Sequence, residues 1–422
     1  MEWMNYRDAL LKIMNLLNRM MDYLSPVLLS GFPAFESASM STVRRFEHGA
    51  IGMCIILLVC LWGCSTASYI TRMGVGQARV LLFSRPNTEI LKDPEVSQET
   101  KDRIKFVLEV KRYAEERIGL EKTENYSRYF QVDDNGLLFV VSACRKDSLI
   151  PYQWTFPIVG KMSYKGFFRG EDAQREREKL EREGFDTCLR RASAYSTLGW
   201  FKDPIFSTML HNERAVIAQI VIHELAHATV FIEDHLDFNE QMATFIGNQG
   251  AIDFFSECYG RDATDYRIAC SVLDDDLLFG QFVDGVCRDL RDLYSRDISR
   301  EEKLTSREGH FQKVKEGFRQ LKVKFKTPLY LGFEDEELNN AILLSYWQYI
   351  GGLKLFKGLH HALGDDWGKM IAFLKEVEKS GEDPRESVER VIKDTGRRVP
   401  SGPLPRSSGF AITGERLAKE FW

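Results

Sequence analysis

The segment VIHELAHAT, residues 221–229, contains three residues whose types and spacing could bind a metal ion and activate water. His223 and His227 are four residues apart, so on a helix both imidazoles project from one face and can reach the same ion. Glu224 is one residue along, which places its carboxylate beside the ion, where it can take a proton from water and later deliver it to a leaving group. The alternative is a buried helix with two hydrogen-bonded histidines, but the uncharged flanks favour a metal site.

A third metal ligand must come from elsewhere in the chain, and Glu240 is the leading candidate. It begins a second predicted helix, Glu240–Phe255, which is entered through Asn239 after a gap of twelve residues. The gap is long enough for the first helix to end and the second to pack back on it, and the small Ala243 would let the two helices approach closely. His235 is the rival ligand, although a histidine in this charged loop is usually solvated. The histidine pair and Glu240 would together hold one Zn²⁺ per chain, with a fourth position kept for water.

The elements that must position these residues are mostly helices, because apolar residues recur at helical spacing along much of the chain. A short helix is predicted at Gln77–Ser84, with a break at Pro86. The longer predicted helices are 97–120 with Gly119 near its end, 170–185 ending at Gly184, 212–232 with Asn212 as the N-cap, and 338–363.

Strand signals are fewer and lie mainly between residues 137 and 209. The run LLFVVSA, 137–143, follows the turn DDNG and predicts a strand. Aromatic residues punctuated by Gly and Pro predict strands and loops over 152–168, and YSTLGWFKDPIFSTM, 195–209, predicts a hairpin or edge strand with a turn at KDP. The predicted fold class is therefore α+β, mostly helical, with the HELAH helix beside a small mixed sheet.

Three segments are predicted along the chain. Residues 1–63 form an N-terminal extension and a leader or membrane segment, 64–400 form a single domain with a helical C-terminal lobe, and the Pro/Ser/Gly-rich tail 401–422 is loose. Residues 284–325 are heavily charged with a thin apolar stripe, which indicates a solvated helical hairpin in that lobe.

Composition limits the classes of function. The 422 residues are 44% hydrophobic and 28% charged, which is typical of a globular protein, and a formal net charge of −5 gives no support for nucleic-acid binding. The cysteines outside the leader, at 144, 188, 258, 270 and 287, form no CxxC pair, so a cysteine zinc site is not expected. The sequence predicts no particular oligomeric state.

The segment RRFEHGAIGMCIILLVCLWGCSTASY, residues 44–69, has the three parts of a secretory leader: positive charge, an apolar core at Ile51–Trp62 and small residues. LWGC, ending at Cys64, resembles a bacterial lipobox, in which the cysteine is lipidated and becomes the mature N-terminus. The alternative is an uncleaved transmembrane anchor, because Gly49–Ile70 contains no Lys, Arg, Asp or Glu. Translation from Met40 would give a leader of ordinary length. In each case we expect an exported, membrane-anchored protein of the bacterial envelope that faces the periplasm.

Four segments in the same order, AYSTLGWFKDPIFSTM, HELAHATVF, FNEQMA and LNNA, resemble the bacterial family of predicted zinc aminopeptidases over roughly residues 64–390. That family usually begins with a lipoprotein leader. The resemblance implies a zincin-like metallopeptidase with His223, His227 and Glu240 on zinc and Glu224 as general base.

The chain departs from the wider pattern of such peptidases in two places. Many carry an acid four residues after the ligand glutamate to orient a histidine, and here Thr244 stands there, which leaves Asp234 and Asp237 as candidates for that role. No GxMEN-like motif for binding a free amine is present, so the resemblance alone carries the expectation of an exopeptidase.

A peptidase also needs a hydrogen-bond donor for the oxyanion of the intermediate. Tyr349, nine residues after Asn340, matches a tyrosine of the family pattern. For any single tyrosine, a packed ring with a satisfied hydroxyl is an equally good interpretation. The other candidate donors are Tyr346, Tyr195, His310, His360 and His361.

The cleft is expected to bind an extended peptide by strand addition. The backbone groups expected to do so are those of Leu198, Gly199, Trp200 and Phe201.

The leading hypothesis is thus a zinc metallopeptidase, a peptide hydrolase of the aminopeptidase kind, anchored in the cell envelope. An endopeptidase that trims a particular envelope protein is the alternative within the same class. A non-catalytic envelope lipoprotein that keeps zinc for structure, or an assembly factor that only binds, are alternatives from other classes, although a purely structural site would usually close its fourth position.

Overall fold

The computed structural model describes residues 64–133, 136–156, 160–192 and 202–396. The predictions for the leader 1–63, for Tyr195, for Leu198–Phe201 and for the tail 401–422 concern residues outside these ranges. From Arg72 onward the described residues belong to one contact unit.

Helices dominate the described residues, and small sheets accompany them, which confirms the α+β prediction. The N-terminal helices are α1 (Cys64–Phe83), α2 (Asn87–Ile90), α3 (Gln98–Tyr113) and α4 (Gly170–Arg182). The central helices are α5 (Arg214–Thr229), α6 (Leu236–Cys258), α7 (Thr264–Ser295) and α8 (Arg300–Leu321). The C-terminal helices are α9 (Asn340–Ile350), α10 (Leu353–Ala362), α11 (Trp367–Ser380) and α12 (Pro384–Thr395). Within these described residues, no helix has the length and apolar character that a membrane span requires.

The strands form one mixed and two antiparallel sheets. The strands are β1 (Arg85–Pro86), β2 (Arg128–Phe130), β3 (Leu138–Arg145), β4 (Trp154–Phe156), β5 (Gly160–Met162), β6 (Tyr164–Phe167), β7 (Phe185–Ala192) and β8 (Ile205–Phe206). In the mixed sheet β2 lies between β1, its antiparallel partner, and β8, its parallel partner. The second sheet has the order β6-β3-β7, and β4 pairs with β5. Strand β8 leads through one 3-10 turn, Met209–His211, into α5.

The predicted ends of α3 and α4 are confirmed. The Ser97 hydroxyl accepts the backbone N–H of Thr100 and so caps the start of α3. A π-helical turn, Ala114–Ile118, extends α3 to Gly119, whose φ of 84° closes the helix. Gly184, with φ of 86°, lies just beyond the end of α4.

The predicted N-cap of α5 is wrong by one residue. The helix begins at Arg214, with Glu213 in the cap position. The Asn212 side chain instead donates to the carbonyl of Met209 at 3.1 Å, and the Asn212 carbonyl accepts from the Arg103 guanidinium at 2.6 Å. Asn212 therefore closes the preceding 3-10 turn and anchors it to α3.

The second predicted helix of the site begins earlier than expected, at Leu236 rather than Glu240. Asn239 lies inside it, and its side chain accepts from the backbone N–H of Ile232 at 2.9 Å and donates to the carbonyl of Ile232 at 2.7 Å. The side-chain amide of Asn239 thus pairs with both the backbone N–H and the carbonyl of Ile232. These two hydrogen bonds fix the loop between α5 and α6.

The single helix predicted over 338–363 is two helices, α9 and α10, separated at Gly351 and Gly352. Gly352 has φ of 68°, a left-handed conformation that glycine adopts without strain. A Cβ atom at Gly352 would lie 2.8 Å from the Gln241 side-chain oxygen, so the break also lets the chain pass close to α6.

The predicted charged segment 284–325 contains the end of α7 and all of α8, and α7 begins at Thr264, well before residue 284. Ser299 and Glu302 form a capping box at the start of α8. The pair is less solvated than predicted, because it contributes to an aromatic cluster with the segment that follows and with α9. The cluster consists of Phe279, Phe282, Phe318, Phe325, Tyr330, Phe333 and Tyr346.

Two adjacent buried carboxylates on α7 join this cluster to the rest of the fold. Asp275 accepts the backbone N–H groups of Lys326 and Thr327. Asp276 accepts the Tyr330 hydroxyl at 2.5 Å and the side-chain amide of Asn248, on α6, at 2.7 Å. Burial raises the pKa of Asp275 to about 6 and that of Asp276 to about 7, although these hydrogen bonds oppose the rise.

Asp276→Asn should flatten the dependence of stability on pH. The folded protein binds the Asp276 proton more tightly than the unfolded chain does, so this residue stabilises the fold fully below about pH 4 and loses that contribution as the pH rises through about 7. The loss is on the order of 4 kcal/mol. We expect urea unfolding to show that Asp276→Asn is more stable than wild type at pH 8 and less stable than wild type at pH 5. Asp292→Asn, at an exposed position of the same helix, is the control; parallel pH curves for wild type and Asp276→Asn would contradict the assignment.

Candidate metal centre

The site depends on an unusually close approach of α5 and α6. Ala243, Gly247 and Gly250 form a stripe of small residues on α6. A Cβ atom at Gly247 would lie 2.8 Å from the main-chain oxygen of Gln219 and 3.2 Å from Cβ of His223. At Gly250 it would lie 2.7 Å from the Ile118 side chain. The absence of side chains here lets α6 lie directly against the turn of α5 that carries His223.

The close approach brings three ligand atoms together. Nε2 of His223 lies 3.0 Å from Nε2 of His227, and each lies 3.4 Å from Oε2 of Glu240. The three side chains are 14%, 6% and 11% exposed, respectively. Among the residues that the structure describes, this is the group of His, Cys, Asp and Glu side chains with a geometry suited to a metal ion.

These distances fit a divalent cation. Ligand atoms at zinc distances in a tetrahedral arrangement lie about 3.3 Å from one another. Two imidazole nitrogens and a carboxylate oxygen face the same small volume, and such an arrangement in a buried place is unfavourable unless positive charge is shared among them. Two histidines and one carboxylate in this arrangement could therefore hold a metal ion.

The electrostatics of the three groups agree with a shared positive charge. Burial alone would raise the pKa of Glu240, but attraction and hydrogen bonds from His227 and His223 lower it to about 2. Burial alone would lower the pKa of His227, but Glu240 and Glu224 together raise it. Glu240 is thus ionised at any physiological pH and is ready to act as an anionic ligand.

The outward nitrogens of the two histidines have different surroundings. The Thr244 hydroxyl lies 3.5 Å from Nδ1 of His223. Nδ1 of His227 is buried and has no hydrogen-bond partner among the described residues. The group that faces a ligand histidine here is therefore the neutral hydroxyl at position 244, rather than either of the acids considered above. Asp237 pairs with Arg385 at 3.0 Å, and Asp234 is exposed, with φ of 62°.

Glu224 lies next to the three donors, and its pKa is raised. Burial is the largest cause, repulsion from Glu240 and Asp203 adds to it, and the two histidines oppose it. A carboxylate whose pKa is shifted upward holds a proton more readily than an ordinary glutamate, which suits a group that must accept a proton and pass it on.

Tyr349 is the tyrosine that the structure brings to the site. Its ring centroid lies 6.4 Å from that of His223. Burial raises its pKa well above the ordinary value, with contributions from Glu240, Tyr164 and Glu224. The hydroxyl is therefore protonated at neutral pH and can donate a hydrogen bond beside the metal donors.

The other candidates lie elsewhere in the fold. His235 occupies the cap position of α6 and is not part of the donor group. Tyr346 stacks under the Arg190 guanidinium, 4.4 Å from ring to charge. His360 packs against Trp367 with ring centroids 4.4 Å apart, and His361 faces Asp365. His310 lies on α8.

Sequence reasoning missed two residues near Glu224. Asp203 is buried, and its negative charge contributes to the raised pKa of Glu224. Tyr126 is buried beside it, has φ of 61°, and donates its backbone N–H to the carbonyl of Asp203 at 2.6 Å. The segment WFKDP predicts only a turn at Asp203, and nothing in the sequence around Tyr126 predicts its left-handed conformation.

Comparison with known protein families gives a match over most of the chain. The family model described as "Putative aminopeptidase" matches residues 68–389. No curated protein and no solved structure matches the chain. The matched range contains the metal donors, Glu224 and Tyr349.

Gly247→Ala should weaken metal binding, because the added methyl would overlap the backbone of α5 at Gln219 and push α6 away from His223. Overpacking of this kind costs about 1–3 kcal/mol, and displacement of Glu240 should lower the retained metal per chain. Gly309→Ala is the matched control, because that glycine lies in the exposed interior of α8 with open space around it. It should keep its metal and gain up to about 1 kcal/mol in stability. Metal analysis after dialysis would test both; full metal retention in Gly247→Ala would show that the close approach is not required.

Proposed function

Because the chain belongs to the family described as "Putative aminopeptidase", we propose that it is a zinc-dependent metallopeptidase that hydrolyses peptide bonds next to a free amino terminus. The observation that carries the proposal is the convergence of His223, His227 and Glu240, with Glu224 beside them. A structural metal site would have no need of a neighbouring carboxylate with a raised pKa.

Zinc is the metal we propose. Two imidazoles and one carboxylate are the protein ligands of many catalytic zinc sites, which keep a further position open. When bound, zinc supplies a Lewis acid that polarises the scissile carbonyl and makes water more acidic. His223, His227 and Glu240 would hold it.

The remaining steps belong to the side chains. Glu224 takes a proton from the attacking water and delivers it to the nitrogen of the leaving amine, so that the carboxylate is restored after each cycle. The Tyr349 hydroxyl, kept protonated by its surroundings, donates to the oxygen on which negative charge develops. Asp203 and Glu240, as fixed negative charges near Glu224, favour transfer of the proton to that carboxylate.

We further propose a zincin-like arrangement, in which a short edge strand precedes the helix with the two histidines and a second helix supplies the glutamate. The order β8, α5 and α6 supports it. The sequence motifs of the leader support a place in the cell envelope, with a lipid anchor at Cys64, the first residue of α1.

The zinc content and the rate of peptide hydrolysis should change independently in one variant and fall together in another. Glu224→Gln should retain zinc while losing roughly 10²–10⁴-fold in hydrolysis, because the amide has the same shape but cannot accept the proton. Glu240→Gln should lose zinc and activity together, since a neutral amide is a poorer ligand than a carboxylate. The assay uses a peptide library in free and N-acetylated forms with the purified full chain. Wild-type turnover in Glu224→Gln would exclude its role as base, and equal cleavage of acetylated peptides would indicate an endopeptidase.

Tyr349→Phe should leave the zinc content unchanged and reduce kcat by about 10²-fold, because a single oxyanion donor contributes on that order. Tyr346→Phe is the matched control on the same helix, since its ring packs in the aromatic cluster away from the donor group. Equal effects of the two variants on kcat would assign Tyr349 to packing alone.

Lipidation is tested by mass. If Cys64 carries lipid and becomes the mature N-terminus, the intact mass of membrane-extracted protein should correspond to residues 64–422 plus acyl groups. A mass that still includes residues 1–63 would favour the uncleaved anchor.

A further inference from the structure

Helix α1 presents large apolar side chains to solvent. Val75, Leu82 and Phe83 are 66%, 78% and 70% exposed, and Ile70 on the same helix is 46% exposed. Of the eight exposed large hydrophobic side chains in the described residues, these four lie on one helix. Scattered exposed apolar residues are ordinary in soluble proteins, but such a concentration marks an interaction surface.

The orientation of this helix is fixed by its inner face. Val80 is buried, and a Cβ atom at Gly76 would overlap the ring of Phe168. Ser84, just after the helix, accepts the Arg128 guanidinium at 2.8 Å through its hydroxyl. The outward position of the apolar residues is therefore set by packing on the opposite side of the helix.

The exposed face also has a distinctive charge. Arg72 and Arg79 lie on it between the apolar side chains, and each remains more than half exposed while pairing with Asp172 and Asp133, respectively. The helix itself contains no Asp or Glu. Apolar side chains interleaved with arginines are the composition of a helix that lies in the interface of a lipid bilayer.

The sequence before this helix supports the same occupant. Residues 49–70 contain no Lys, Arg, Asp or Glu, and they run directly into the exposed part of α1. Whether the bilayer holds the chain through this segment or through a lipid on Cys64, the residues that follow stay within a few ångströms per residue of the membrane.

We propose that the outer face of α1, formed by Arg72, Val75, Arg79, Leu82 and Phe83, lies against a lipid bilayer, with the helix parallel to the membrane surface. The side chains of Val75, Leu82 and Phe83 enter the boundary between headgroups and acyl chains. Arg72 and Arg79 keep their pairs with Asp172 and Asp133 and face the phosphates with the N–H groups that remain exposed. The face is a contact in addition to the anchor and independent of the peptidase activity.

The test measures whether water or lipid reaches the face. Leu82→Cys is compared with Val323→Cys, which replaces an equally exposed apolar residue in the 3-10 turn Lys322–Lys324. The full chain is placed in nanodiscs of phosphatidylethanolamine and phosphatidylglycerol, at one copy per disc and separately at two. It is then treated with a charged maleimide or with a lipid-soluble one. Labelling at each cysteine is read by peptide mass spectrometry, with the native exposed Cys258 as internal reference.

We expect the charged reagent to label position 82 about tenfold more slowly than position 323, the order of preference that burial of a leucine side chain provides, while the lipid-soluble reagent labels position 82 readily. Equal labelling of both positions by the charged reagent would mean that the face is open to water and would overturn the proposal. Slow labelling of position 82 by both reagents would mean that protein covers this position. Protection at one copy per disc would assign the cover to another segment of this chain. Protection that appears only at two copies per disc would assign it to a second copy. Either result would overturn the lipid assignment.

Discussion

The arrangement of His223, His227 and Glu240 is the constraint on which the rest of the structure depends. Three electron-rich atoms lie within 3.4 Å of one another and are almost buried. Left without positive charge, such groups would repel and would attract water, so the scaffold must hold them together against that tendency. It does so by placing two histidines on one helix and the glutamate on another, and by removing the side chains between the two helices at Gly247 and Gly250.

The second helix of this pair is in turn held by long-range hydrogen bonds. Gln241, next to Glu240, donates to the carbonyl of Trp347 at 2.9 Å and accepts from Arg385 at 2.6 Å. Because Trp347 lies on α9 close to Tyr349, the same contact relates the metal donors to the proposed oxyanion donor. The break between α9 and α10 at Gly352 leaves room for the Gln241 side chain.

Helix α9 is fixed at its other end by Asn340, which is fully buried. Its backbone N–H donates to Asp186 at 3.0 Å, its side-chain oxygen accepts the Tyr294 hydroxyl, and its amide donates to the carbonyl of Arg145. Asp186 also pairs with the buried Arg307 at 2.7 Å. Loss of one member of such a buried network leaves unpaired polar groups, so the segment LNNA positions the helix that carries Tyr349.

Local patterns were readable from the sequence, and long-range ones were not. The spacing of His223 and His227 needs only a helix, and the small Ala243 already suggested that a second helix could approach. Asn212 resembled an N-cap, but its side chain bonds to a carbonyl three residues earlier. Repeated apolar spacing across Gly351 predicted one helix, whereas Gly352 takes a left-handed conformation and lets the chain pass close to Gln241, more than a hundred positions away. The same limit explains why the charge of Asp203 near Glu224 was missed.

The hydroxyl of Thr244 also contributes to the distribution of charge around the three donor side chains. A ligand histidine must direct the lone pair of Nε2 toward the metal, which requires the proton on Nδ1 and an acceptor facing it. At His223 the facing group is a hydroxyl 3.5 Å away. An acid at this position would add a negative charge beside Glu240 and Glu224. Asp203 and Glu240 already contribute to the raised pKa of Glu224, and a further negative charge would act in the same direction. A neutral group at position 244 therefore faces His223 without adding negative charge beside Glu224 and Glu240.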